Sequence, residues 1–440
     1  MVREDTVRGM PSLRSLAVDT GALRSRPYRR LWTGQLVSLI GRQITVVAVP
    51  FQVYTLTHSP LAVGLLGLVQ VVPLVTFSVS AGVIADRMDR RRLLLITQLC
   101  LAVCSGVLAL GALRGNPPLV LIYVIVGVAA AFAAVDSPTR TAVIPNLVPR
   151  ERLAGALSLN IVLFQTTLVA GPALGGLVIA RLGLPVAYAI DVGTFTASLI
   201  AVALLPPQPP RGAQHEAPVA AIKRGLEFTR RQPVILGGFA MDLAAMIFGM
   251  PRALFPVLAA VTFHTGAGGL GLLYAAPGFG AVIAALSTGW VSRAHRLGRV
   301  IVVTIVIWGV AIIAFGFATA FWLGLLLLVI AGAADSFSAV CRTTIMQTIT
   351  PDDLRGRLTA VYYMVVVGGP YIGDLESGAV ASLTTPQISV VSGGVLSLVG
   401  LAGAALVFPA VWLYRMPHRR RGGVLPEEAA PGDPGSVLGA

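Results

Sequence analysis

"GVIADRMDRRR" (residues 82–92) is the stretch on which the reading of this chain turns. Between Asp86 and Arg92 it holds four arginines and two aspartates, in a 440-residue chain that is 12% charged and 55% apolar. On either side lies an apolar run, roughly 61–85 before it and 93–113 after it. A helix needs about 20 such residues to cross a ~30 Å hydrocarbon core. The charged run is therefore a loop between two spans. A mean hydropathy of +0.82 excludes a water-soluble domain, which would keep about a quarter of its residues charged.

Working outward, the first half carries apolar spans at about 31–56, 61–85, 93–113, 118–139, 153–180 and 184–205. Six more follow at about 233–259, 267–292, 300–319, 321–345, 358–383 and 387–414. Backbone groups in lipid must be satisfied within their own segment, so runs of this length are helices. The expected fold is an all-α membrane protein with twelve transmembrane helices in two six-helix halves. The boundaries read as a cytoplasmic N-terminal segment 1–30, halves 31–205 and 233–414, a polar, Pro-rich linker 206–232, and a tail 415–440 of disordered composition.

Orientation follows from arginine counts by loop. Segments 82–92, 150–152, 211–231, 293–299 and 355–357 and both terminal segments hold most of the positive charge. The alternate loops "THSP" (57–60), "HTGAGG" (264–269) and "TTPQ" (384–387) hold none. Both termini and the linker are thus expected in the cytoplasm. The net charge of +14 is spread over these loops and forms no single basic face, which argues against a nucleic-acid partner. Cys100, Cys104 and Cys341 lie in or beside spans and read as packing residues, with no metal site.

Five spacings recur half a chain apart. Pro50 and His58 match Pro256 and His264; Gly64 and Gly82 match Gly271 and Gly289; Arg140 and Pro149 match Arg342 and Pro351. The glycine alignment lays "GVIADRMDRRR" over "GWVSRAHRLGR" (289–299), and "GPALGG" (171–176) echoes "GPYIGD" (369–374). Duplicated halves of like orientation, related by an axis along the membrane normal, form a transporter architecture.

These features resemble the major facilitator superfamily across essentially the whole chain. The opening stretch is similar to its signature loop through Gly82, Asp86, Arg87, Arg90 and Arg91, with Asp89 where the superfamily has glycine. "GPALGG" is similar to the fifth-helix antiporter motif of exporters through Gly171, Pro172, Gly175 and Gly176, with Thr167 replacing its leading glycine. The fourth-helix arginine motif is missing: Tyr123 stands at its arginine position. "AVPFQVYTLTHS" (48–59), "GLLYAAPGFGA" (271–281) and "TITPDDLRGRL" (348–358) resemble the branch of enterobactin exporters and of macrolide and multidrug efflux proteins. The resemblance implies a conformational latch at the cytoplasmic face, with Asp86, Arg90 and Asp136 in one charge network beside Arg140. It also implies that Asp86 pairs near Arg355 when the protein faces outward.

An ionised side chain inside a span costs about 2.5–3.5 kcal/mol on insertion scales, so each is a functional candidate. Arg42, midway along the first span, suits an anionic substrate group or a carboxylate partner such as Asp242. Asp242 suits proton carriage. Asp374 and Glu376 project about 200° apart on one helix, so a single cavity receives one of them, with Asp374 preferred. Asp191 reads as a cap or packing group near the outer end of span six. Arg252 reads as snorkelling to the outer interface, and Asp136 and Asp335 as local partners of Arg140 and Arg342. The five histidines lie in loops, tails or membrane boundaries, so no mid-membrane His relay is expected.

The expectation is an alternating-access secondary exporter of the inner membrane, proton-coupled and without a cofactor. It would move a siderophore or amphipathic drug-like small molecule and work as a monomer in the lipid bilayer. The alternatives are an uptake permease of the same fold and a non-transporting receptor. The chain has no HExxH, nucleophile elbow or phosphate loop, so neither an enzyme nor an ATPase subunit is implied.

Overall fold

The computed structural model describes residues 20–416 apart from 116, 210–217 and 353. The surroundings of Gly82 and Asp86 lie outside the described residues, as do 1–19 and 417–440. A short 3-10 turn, Thr20–Arg24, leads into α1 (Arg26–Thr57), α2 (Pro60–Arg87), α3 (Arg90–Leu113) and α4 (Leu119–Leu147). The next run, Leu153–Ala203, is 51 residues long. At 1.5 Å per residue it would reach about 77 Å, more than twice the hydrocarbon core. It breaks at Gly183, whose φ of 83° only glycine adopts freely, giving α5 (153–182) and α6 (184–203).

The linker contributes α7 (Pro218–Arg231), and the second half follows with α8 (Pro233–Phe248), α9 (Gly266–Ser287), α10 (Leu297–Phe317), α11 (Phe321–Ile349), α12 (Arg355–Leu383) and α13 (Pro386–Val407), ending in the short α14 (Pro409–Leu413). Among the described residues there are no strands. With the break at Gly183 counted, α1–α6, α8 together with the broken segment that follows it to Thr262, and α9–α13 make the twelve expected spans. Large apolar side chains such as Val120, Leu286, Phe317 and Trp322 are exposed on the outside of the bundle, where the solvent is lipid.

The opening loop is tied down by hydrogen bonds. Asp89 caps α3, its carboxylate accepting from Arg92 N at 3.1 Å and from Gln208 N at 3.0 Å. Its φ is −58°, so the glycine of the superfamily pattern is not needed here. Arg90 donates to the Ala142 carbonyl at 3.1 Å and Arg91 to that of Ala203, the last residue of α6. Cations at helix C-termini satisfy carbonyls that the helix leaves open. Arg87 is exposed.

The duplication is visible in the backbone. Among the described residues, His58, after α1, and His264, before α9, are the non-glycine residues with positive φ, both at 52°. Within the first half, Tyr28 and Trp32 of α1 donate to the carbonyls of Ala156 and Leu159 of α5. Tyr188 of α6 donates to Gln52 of α1 at 2.7 Å.

The linker carries more structure than its polar composition suggests. Its helix α7 packs on the start of α12, with Phe228 against the cluster of Ile235, Phe239, Leu358 and Val361. Gly225 allows this approach, since a Cβ there would stand 3.0 Å from the Arg357 carbonyl oxygen.

Candidate functional site

The halves meet in two matching seams. Gly64 of α2 lies against Gly378 of α12, and a Cβ on Gly378 would stand 2.9 Å from Gly64 Cα. Gly176 of α5 lies against Gly271 of α9, where a Cβ would stand 2.7 Å from Gly271 Cα. Gly64 and Gly271 are the repeat-equivalent glycines of the sequence. All four lie toward the arginine-poor ends of their helices, so the bundle is closed at that end by backbone against backbone.

The "GPALGG" glycines divide between two neighbours. Gly171 and Gly175, four apart and on one face, receive Gln43 and Ile44 of α1. Gly176, about 100° further round, faces α9 of the other half. One motif thus fixes α5 to α1 and also forms the seam with α9.

Beneath the seams lies a cavity of about 190 Å³ lined by both halves, with Arg42, Asp191, Arg252, Tyr274, Tyr371 and Asp374 among its polar lining. In the first half Asp191 is 1% exposed and accepts hydrogen bonds from Thr45 and Ser105, each at 2.7 Å. Its place in the cavity corrects the expectation of a cap near the outer end. Arg42 acts electrostatically on Asp191. Among the described residues, however, no carboxylate lies within ion-pair distance of Arg42.

The other half supplies Arg252, which does not snorkel. After α8 ends at Phe248, Gly249-Met250-Pro251 breaks the helix, since proline lacks an N–H and disfavours helical geometry in the residue before it. The chain resumes as 3-10 turn Arg252–Leu254, one α turn and a π segment, Leu258–Thr262. The break turns Arg252 inward to pair with Asp374 at 2.8 Å, with the Tyr371 ring 5.4 Å from its guanidinium carbon. Tyr274 donates to the freed Arg252 carbonyl at 3.1 Å.

The other candidates lie elsewhere. Asp242 is paired with Arg342 of α11 at 2.5 Å, which corrects the suggested pairing with Arg42. Arg342 also reaches Asp335 of the same helix, at 3.8 Å, so the expected local pair is present and Arg342 is shared between Asp335 and Asp242. Asp136 does pair locally with Arg140, at 3.2 Å, and accepts from Thr97 at 2.9 Å. Glu376 is half-buried and is not part of the cavity lining, and its Oε2 has no hydrogen-bond partner among the described residues. Arg355 pairs with Asp352 at 2.8 Å, while the Asp86 side of the implied latch lies outside the described residues. Sequence reading missed Asp191 and Arg252 as cavity residues. The signal for Arg252 was present in "GMP" (249–251), a helix breaker inside a span.

Comparison with known proteins agrees with this architecture. Residues 19–417 match the family described as transmembrane secretion effectors. The enterobactin exporter of Citrobacter koseri is 31% identical over 392 residues, covering 88% of this chain and 93% of that protein. The enterobactin exporter of Salmonella typhimurium is 30% identical over 396 residues, with 88% and 94% covered. Among solved structures, a point mutant of the nucleoside transporter NupG superposes with a TM-score of 0.72 at 14% identity, over 88% of this chain and all (100%) of that one. A bacterial homologue of the iron transporter ferroportin gives 0.67 at 16% identity, over 88% and 99%. The chain belongs to the transmembrane secretion effectors, a family of major facilitator transporters.

Proposed function

We propose that this transporter is a proton-driven exporter that alternates access to its central cavity and carries an anionic, siderophore-like molecule out of the cytoplasm. The observation that carries the reading is Arg42, a cation in the cavity with no ion-pair partner among the described residues. Arg252 and Asp374 neutralise one another, and the Asp191 carboxylate is held by two hydroxyls, so among the described residues the Arg42 guanidinium keeps its hydrogen-bonding capacity for a ligand. A half-buried guanidinium within a span favours an anion, and the rings of Tyr274, Tyr371 and Phe195 suit an aromatic body. The named function of the enterobactin exporters, at about 30% identity, supports the same cargo class.

With the arginine-rich loops in the cytoplasm, a bundle closed at the arginine-poor end opens inward, where an exporter loads. Halves 31–205 and 233–414 move as units about the cavity and are joined by 206–232. The protein acts as a monomer in the inner membrane, with both termini cytoplasmic and the proton gradient as its energy source. The test uses proteoliposomes loaded with enterobactin. Imposing a pH gradient should drive its movement uphill, and reversing the gradient should reverse the movement. Cells lacking the protein should retain more of the cargo; lower accumulation would instead identify an uptake permease. Binding without any crossing would identify a receptor.

A further inference from the structure

Away from the cavity, α8, α11 and α12 enclose a second polar cluster. Asp242 of α8 is 1% exposed, and Arg342 of α11 stands 2.5 Å from it with a side chain 5% exposed. Arg342 also reaches Asp335, one helical repeat earlier on α11, at 3.8 Å. Positions seven apart fall on one helix face, and Ser338 between them accepts from Arg342 at 3.2 Å. Asp335 therefore points into the bundle with Arg342, while its side chain remains 38% accessible. Tyr362 of α12 presents its hydroxyl to the same guanidinium. Cys341, a further titratable group, also lies beside it.

Two carboxylates share one guanidinium, so the fully ionised cluster holds one excess negative charge in the hydrocarbon layer. Asp242 Oδ2 is buried with no hydrogen-bond partner among the described residues. A buried charge with no counter-charge is costly, and one bound proton neutralises this cluster. The repeat-equivalent arginine, Arg140, meets one carboxylate among the described residues, Asp136, and leaves no such excess.

We infer that Asp242, Asp335 and Arg342 form the proton-binding site, separate from the cargo cavity, with Asp335 as the point of proton entry and Asp242 as the buried partner. Protonation converts one carboxylate to a neutral acid and releases Arg342 to the other; loss of the proton restores the shared arrangement seen here. The coupling role rests on the reading of the protein as proton-driven, whereas binding of a proton by this cluster does not.

The test separates the two. Purified full-length protein is titrated by attenuated-total-reflection infrared spectroscopy, following the protonated carboxylic acid stretch, which requires no cargo. Wild-type protein should show a titrating band that disappears in Asp335→Asn and in Asp242→Asn but persists in Asp374→Asn. Asp335→Asn keeps the Asp242–Arg342 pair, so it gives a folded reading even if Asp242→Asn does not assemble. A band unchanged in Asp335→Asn, or lost only in Asp374→Asn, would overturn the assignment. In proteoliposomes, Asp335→Asn should abolish movement driven by a pH gradient and retain enterobactin counterflow. Gradient-driven movement at the wild-type rate in Asp335→Asn would also overturn it. Wild-type protein that ignores the gradient while its band titrates as expected would remove the proton-driven function and leave the site standing.

Discussion

Arg42 is the residue on which cargo choice should depend most. Hydrogen bonds to a charged group contribute about 1.5–3 kcal/mol, so Arg42→Ala should weaken binding of an anionic cargo about 10- to 100-fold. Equilibrium binding of enterobactin and of an uncharged analogue measures this, and an equal loss for both would remove the electrostatic role. Asp374 should behave differently, because its first task is to neutralise Arg252. Removing one partner of a buried pair costs about 3–5 kcal/mol. With Arg252 28% exposed, Asp374→Asn should fall below that range. Thermal unfolding in detergent should then show the Arg252→Met/Asp374→Met double variant recovering most of the stability lost by Asp374→Asn. Arg42 and Asp374 could be found in the sequence because a charge in an apolar run stands out. That Asp191 and Arg252 share the cavity with them could not be read, because these residues come from segments about 150 and 120 residues away in the chain.

At the scale of elements, two features invite substitution. Pro251 breaks the helix before Arg252, and Pro251→Ala should let α8 continue, turning Arg252 out of the cavity. A cysteine at position 252 should then lose protection by cargo against thiol reagents when position 251 is alanine. The second feature is the division of labour in "GPALGG". Gly175→Val should lower folded yield by forcing α5 from α1, since overpacking costs about 1–3 kcal/mol. Gly176→Val should fold but hold the seam with α9 apart, raising labelling of cysteines placed near residue 267. Similar labelling in Gly176→Val and wild type would show that the seam tolerates the side chain. The helices themselves were legible from apolar length alone. The break at Gly183 was also legible as a gap between spans, but the unwinding at 249–254 was masked by the apolar residues around it.

For the whole molecule, the arginine count sets a direction that reporter fusions can check. A cytoplasm-active reporter should work after residue 414 and fail at "THSP" (57–60), while a periplasm-active one should show the reverse. The duplication was legible as five recurrent spacings, and Gly64 and Gly271 reappear as one glycine in each seam. Which helices those glycines would meet was not legible, because the partners come from the opposite half. The seams have an electrical consequence. Two backbones pressed together leave no room for a file of water, and without such a file neither ions nor hopping protons can bypass the transport cycle. The closed end should behave as an insulator: liposomes carrying the protein without cargo should hold an imposed membrane potential as long as empty ones do. Since no side chain in the glycine contact can swing aside, conductance should appear only when the helices of a seam move apart.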